Sequence, residues 1–81
     1  MKIPELKALL EKHNIRPSGY TLYPNKYGHN ECDIVIAKEN GMWKVFGQER
    51  YEEFNVTFHA TEEEACAQFL RMGYPELANS Q

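Results

Sequence analysis

The chain has 81 residues and a formal net charge of −3, with nine Lys and Arg against twelve Asp and Glu. A chain of this length folds around one small core, so we predict a single domain over residues 1–81. The nine basic residues form no stripe that could pair with phosphates, which argues against nucleic acid as a direct ligand.

The sequence carries no sign of export. Residues 1–5 lack the apolar run of a signal peptide, and no stretch approaches the length of a membrane span. Cys32 and Cys66 are the only cysteines, too few for the disulfide framework of a small secreted domain. We therefore expect a cytoplasmic protein with reduced thiols, no cofactor and no membrane contact.

The first predicted element is a helix over residues 4–14. Pro4 suits the first turn, where its missing N–H costs nothing. The apolar side chains recur at helical spacing, at Leu6, Leu9 and Leu10. A short strand over residues 20–23 and a loop over residues 25–31 follow.

The centre of the chain is a predicted hairpin over residues 33–47. Asn40-Gly41 lies between two apolar-rich runs, and a type I′ turn there needs positive φ at both residues. This turn pairs Lys38 with Trp43 and Ile36 with Val45. One face of the hairpin then carries Ile34, Ile36, Trp43 and Val45. The other carries Val35, Ala37, Met42 and Phe46, interrupted by Asp33, Glu39 and Lys44.

A fourth strand and a second helix complete the pattern. Residues 54–59 alternate strictly, which predicts Phe54, Val56 and Phe58 on one face of the strand. Thr61 and Glu64 form a capping-box pattern at the start of a helix that ends near Gly73. The tail over residues 76–81 is polar apart from one leucine, and we expect it to fray.

These elements predict an α+β fold. Short connections favour a four-stranded antiparallel meander, with the N-terminal and C-terminal helices packed on one face. The row of Phe54, Val56 and Phe58 is predicted to lie under the helices. The opposite face, with Val35, Ala37, Met42 and Phe46, is then left open. Because an open apolar face is unusual on a solvated sheet, it is a candidate surface for self-association.

Metal binding and catalysis have little support in the residues. His29 and Cys32, with His59 and Cys66, could supply four zinc ligands, but their spacing matches no zinc ribbon or finger. A small enzyme built on Cys32 and His29 is an alternative hypothesis, although no oxyanion site is evident. The simpler interpretation of Cys66 is a small core residue on a helix.

A family resemblance adds to this pattern. The resemblance lies in Trp43-Lys44-Val45, in Glu49-Arg50, and in Phe58 followed by 61–66 (Thr-Glu-Glu-Glu-Ala-Cys). In these segments the chain resembles small immunity proteins of bacterial polymorphic toxin systems. The similarity includes immunity proteins of Maf-type and contact-dependent-inhibition toxins, and it covers residues 18–73. Members of that family often have glycine after the Glu-Arg step, where this chain has Tyr51.

The resemblance implies an inhibitor rather than an enzyme. Such proteins bind one cognate toxin in the cytoplasm, often a nuclease, and some pair as homodimers. An acidic surface suits a basic nuclease because it can replace the phosphates of the nucleic acid. The residues predicted to contact the toxin are Glu49, Tyr51, Glu52 and Glu53 before the fourth strand, with Tyr27 and His29 in the loop. The alternative is a homodimeric structural module without a toxin partner.

Overall fold

The computed structural model describes residues 1–26, 33–50 and 52–79. Helix α1 spans Ile3–Lys12, and a 3₁₀ turn spans Pro17–Gly19. The strands are β1 (Tyr20–Leu22), β2 (Asp33–Glu39), β3 (Met42–Glu49) and β4 (Glu52–His59). Helices α2 (Glu62–Gly73) and α3 (Pro75–Asn79) follow. The α+β class is therefore confirmed, and α1 ends two residues before the predicted residue 14.

The four strands form one sheet in the order β1-β2-β3-β4. The pairs β2–β3 and β3–β4 are antiparallel, but β1 runs parallel to β2, with Tyr20 opposite Ile34. The prediction of a purely antiparallel meander is therefore wrong. Residues 23–32 separate β1 from β2, which is far more than a two-residue hairpin needs, and this length allows the chain to return and pair in parallel.

The central hairpin has the predicted register. Asn40 and Gly41 have φ values of 53° and 80°, as a type I′ turn requires. Ile36 pairs with Val45, and Val35 pairs with Phe46. The sheet therefore has two faces, which we name after one residue each. The Ile36 face carries Ile34, Ile36, Trp43 and Val45, and the Phe46 face carries Val35, Ala37, Met42, Lys44, Phe46 and Gln48.

Strand β4 departs from the predicted alternation. The register with β3 shifts between Val45, which pairs with Thr57, and Gly47, which pairs with Phe54. Asn55, inside this shift, has a φ of 53°, the left-handed region that asparagine tolerates. One extra residue on β4 therefore forms a β-bulge.

The bulge reverses which side chains at the end of β4 turn inward. Phe58 pairs with Lys44 and so lies on the Phe46 face, and Val56 shares that side by alternation. The exposed fractions of these side chains are 42% for Phe54, 39% for Val56 and 49% for Phe58. The predicted burial of this row under the helices is wrong. Half-buried Thr57 and His59 take the positions on the Ile36 face.

One hydrophobic cluster joins the helices to the sheet. Ile36 and Val45 share it with side chains of all three helices and of β1. Its helical members are Leu6, Leu10, Ala65, Cys66, Phe69, Leu70 and Leu77. Burial of Leu77 at 9% exposure explains why residues 75–79 form a helix, so the predicted fraying of the tail is wrong for this part.

The Phe46 face is less open than predicted. Val35 and Phe46 are completely buried, although they lie outside the cluster that contains Ile36. The expectation that both stand exposed is therefore wrong. Ala37 is half-buried, and Met42 is 38% exposed. The accessible apolar part of this face is instead made by Met42, Val56 and Phe58, which we call the β4 patch.

The start of α2 has one half of the predicted capping box, the cap by Thr61; the Glu64 side chain accepts from the Thr61 hydroxyl rather than from the Thr61 backbone N–H. Thr61 Oγ1 accepts a hydrogen bond from the backbone N–H of Glu64, at 3.2 Å. The Thr61 hydroxyl also donates to Glu64 Oε1, at 3.0 Å. The Glu62 carboxylate accepts from the backbone N–H of Ile3 at 2.7 Å, which ties the beginning of α1 to the beginning of α2. Glu62 therefore has a structural role.

Candidate functional site: the β3–β4 turn and the edge strand

The β3–β4 turn forms a shallow cleft of about 430 Å³. The residues that line it are Glu49, Arg50, Glu52 and Phe54. Two of them, Glu49 and Glu52, are among the predicted toxin contacts, and both are exposed. The cleft thus combines two carboxylates, one guanidinium and one exposed aromatic ring.

The two glutamates of this turn are direct cross-strand neighbours. Glu49 is the last residue of β3 and pairs with Glu52, the first residue of β4. Like charges placed directly opposite each other destabilise a strand pair. Arg50 in the turn has a φ of 49°. The turn therefore holds two carboxylates and one guanidinium within three lining residues.

Phe54 is placed by a glycine. Its ring lies over Gly47 on the neighbouring strand, where a Cβ atom would collide with the ring atoms. Because glycine leaves this space free, the Phe54 ring occupies it and remains 42% exposed at the cleft. The alternation of residues 54–59 had predicted Phe54 in the core. It lies instead beside the turn, outside the hydrophobic cluster that the helices cover.

Glu53, another predicted toxin contact, has a partner inside the chain. Its Oε1 accepts a hydrogen bond from Lys44 Nζ at 2.8 Å, and Glu39 lies 3.7 Å from the same ammonium. Lys44 is only 7% exposed and lies 4.9 Å from the ring centre of Phe46. Glu53 therefore neutralises a buried cation and lies on the Phe46 face, away from the residues that line the cleft.

Gln48 is a second buried polar residue on the Phe46 face. It is 4% exposed and pairs with Glu53 across the sheet. Within the described part of the chain, no donor forms a hydrogen bond with its Oε1. The sequence pattern counted Lys44 among the charges that interrupt this face, and the structure buries both Lys44 and Gln48 there.

Three predicted site residues cannot be placed. They are Tyr27, His29 and Tyr51, which lie outside the described residues. Cys32 lies outside them as well, so the structure does not test the zinc and enzyme hypotheses, which need Cys32 and His29. Among residues 1–26, 33–50 and 52–79, no group of three metal-ligating side chains is found. The Nε2 of His59 lies 2.9 Å from the Thr57 hydroxyl, so this histidine has a partner within its own strand.

Cys66 is a buried core residue, as predicted. Its side chain is fully buried in the cluster with Ile36. Burial, reinforced by the nearby Glu62 carboxylate, raises the pKa of the Cys66 thiol to about 11. The thiol therefore stays protonated at neutral pH and has little nucleophilic character.

This raised pKa predicts a loss of stability in alkali. The unperturbed thiol titrates at 9.0, so the folded protein holds the proton to higher pH than the unfolded chain does. The stabilisation is complete below pH 9 and is lost as the pH rises toward 11, by about 2–3 kcal/mol. Urea denaturation at several alkaline pH values measures it.

The control is Cys66→Ala, whose unfolding free energy should fall less over the same interval. Tyr20, whose pKa is raised by burial and by Glu11, contributes equally to both proteins. Equal slopes for the wild type and Cys66→Ala would contradict this assignment.

Comparison of the chain with protein-family models, with curated proteins and with solved structures finds no match. Within the described ranges, no helix has the length and apolar character needed to cross a membrane.

Proposed function

We propose that this chain is an immunity protein, which binds a cognate bacterial toxin domain in the cytoplasm and neutralises it by occlusion. It acts as an inhibitor and not as an enzyme, and the toxin is a nuclease with a basic surface. In this proposal both helices cover the Ile36 face, and the β3–β4 turn meets the toxin. The resemblance of residues 18–73 to immunity proteins supports the proposal.

The observation that carries the proposal is the cleft at the β3–β4 turn. Phe54 supplies an exposed apolar ring of the kind that anchors interfaces, and it is held on a rigid sheet by Gly47. Glu49 and Glu52 beside it carry charge that would attract a basic partner and speed its association. A nuclease that holds phosphate groups presents this complementary charge.

The experiment combines growth rescue and binding. We expect co-expression with the toxin domain encoded next to this chain's gene to restore growth and to yield a purified complex. Phe54→Ala should weaken the complex about 30-fold, the loss of a typical aromatic anchor. Glu52→Lys should slow association about tenfold at low salt, because it reverses a charge at the rim.

The matched control for charge is Glu76→Lys, which makes the same change on exposed α3 and should leave association unchanged. If the wild type gives neither rescue nor complex, the proposed function is wrong. If the wild type binds and both cleft variants bind equally well, the toxin contacts another surface.

A further inference from the structure

We propose that two copies of this chain pair through β4, antiparallel and about a twofold axis at Thr57. The inference goes beyond the proposed function, since it concerns the other end of β4 and needs no toxin. It rests on the position of β4 at the edge of the sheet, on the direction of its backbone groups and on the side chains of residues 55–59.

The direction of the backbone groups follows from the hairpin. Glu39 and Met42 flank the two-residue turn and form its closing hydrogen-bonded pair. Hydrogen bonding then alternates along β3, so that Trp43 and Val45 direct their backbone groups toward β4. They pair there with His59 and Thr57. The hydrogen bond from the Thr57 hydroxyl to the Val45 carbonyl, 3.3 Å long, agrees with this direction.

The intervening residues of β4 therefore direct their backbone groups outward. Among the described residues, β4 pairs with β3 alone, so Phe58 and Val56 each present an N–H and a C=O at the outer edge. An edge strand of eight residues with exposed apolar side chains is a template for another strand.

The symmetry of this segment favours a second copy as the occupant. Pairing about Thr57 places Phe58 opposite Val56 of the partner subunit, and the twofold axis repeats the contact. Each apolar side chain of the β4 patch on this strand thereby gains an apolar neighbour. The two Phe58–Val56 pairs are also the positions where backbone hydrogen bonds form between the two β4 strands. Backbone geometry and side-chain chemistry therefore favour the same register, with Thr57 opposite Thr57.

Charge and the bulge limit the pairing to this segment. Residues 55–59 contain no carboxylate, so two copies approach there without the repulsion that Glu49 and Glu52 would cause at the turn. The bulge at Asn55 puts Phe54 on the face opposite Phe58, which excludes a register that pairs these two rings. The pairing is therefore confined to residues 55–59, and Glu49 and Arg50 of the turn lie beyond it.

Cross-linking through position 57 tests the register. Opposed residues of a pair without hydrogen bonds lie about 4.5 Å apart at Cα, a distance that a disulfide spans. In a Cys32→Ser background, oxidation of Thr57→Cys by glutathione disulfide should convert most of the protein into a covalent dimer. The matched control, Tyr23→Cys, places an exposed cysteine at β1, and it should stay largely monomeric.

Sedimentation tests the association itself. The wild type should reach twice the 9.5 kDa mass of one chain at high concentration. Val56→Lys should raise the dissociation constant at least tenfold, because it places a charge against Phe58 of the partner subunit. Val56→Ile should still dimerise. A wild type that remains monomeric at millimolar concentration, or equal cross-linking at positions 57 and 23, would overturn the proposal, whatever the toxin experiment shows.

Discussion

Phe46→Ala is expected to lower the free energy of unfolding by about 3–5 kcal/mol, the usual loss for a fully buried phenylalanine. Phe46 has no exposed surface, and its ring lies 4.9 Å from the ammonium of Lys44. The substitution leaves a cavity and removes the aromatic partner of a buried cation. Urea denaturation followed by circular dichroism measures the loss.

Phe58→Ala is the matched control, because Phe58 lies on the same face but is 49% exposed. At protein concentrations where the chain is monomeric, it should lower the free energy of unfolding by less than about 1 kcal/mol. If Phe46→Ala does not fold, Phe46→Leu retains most of the apolar volume and allows the comparison. Equal losses for positions 46 and 58 would show that Phe46 is not buried within one chain.

Phe46 and Phe58 also show what the sequence pattern predicts and what it does not. The Asn40-Gly41 turn determines the register of β2 and β3, and alternation then assigns each side chain of the hairpin to a face. Those assignments are confirmed. Alternation does not tell which face is covered, and it therefore failed to predict the burial of Phe46.

The bulge in β4 is the second limit. Its signal in the sequence is Asn55, a residue that tolerates positive φ, placed inside an apparently regular strand. Because asparagine also occurs at exposed positions of regular strands, the alternating row of Phe54, Val56 and Phe58 gave the stronger, misleading prediction. One inserted residue moves side chains between faces, and it puts Val56 and Phe58 of the predicted core row on the exposed surface of β4.

The parallel pairing of β1 with β2 was not predicted from the sequence, for a different reason. Connection length is the one sequence feature that bears on whether two strands pair in parallel or antiparallel, and a connection of residues 23–32 is compatible with both. For the candidate site, charge was the criterion that selected Glu49 and Glu52, and their contact with a toxin stays a prediction. Their predicted position in a loop before the fourth strand is wrong, because Glu49 ends β3 and Glu52 begins β4. The same criterion included Glu53, because the sequence does not reveal that Lys44 is buried beside it.

Phe69→Ala is expected to have an equally large effect, again a loss of about 3–5 kcal/mol. Phe69 lies on α2 and is fully buried. Its ring centre lies 6.2 Å from that of Tyr20 in an edge-to-face arrangement and 5.8 Å from that of Tyr74. Arg71→Ala, an exposed change on the same helix, should alter the stability by no more than about 0.5 kcal/mol.

The contact with Tyr20 gives this substitution a local signature. Strand β1 has only three residues and lies at the edge of the sheet, so its backbone pairing with β2 is short. The packing of Tyr20 against Phe69 must then supply much of what holds β1 in place. In the milder variant Phe69→Leu, backbone amides of β1 should exchange hydrogen faster relative to those of β3 than in the wild type. Uniform acceleration across the sheet would instead mean that β1 opens only when the whole domain unfolds.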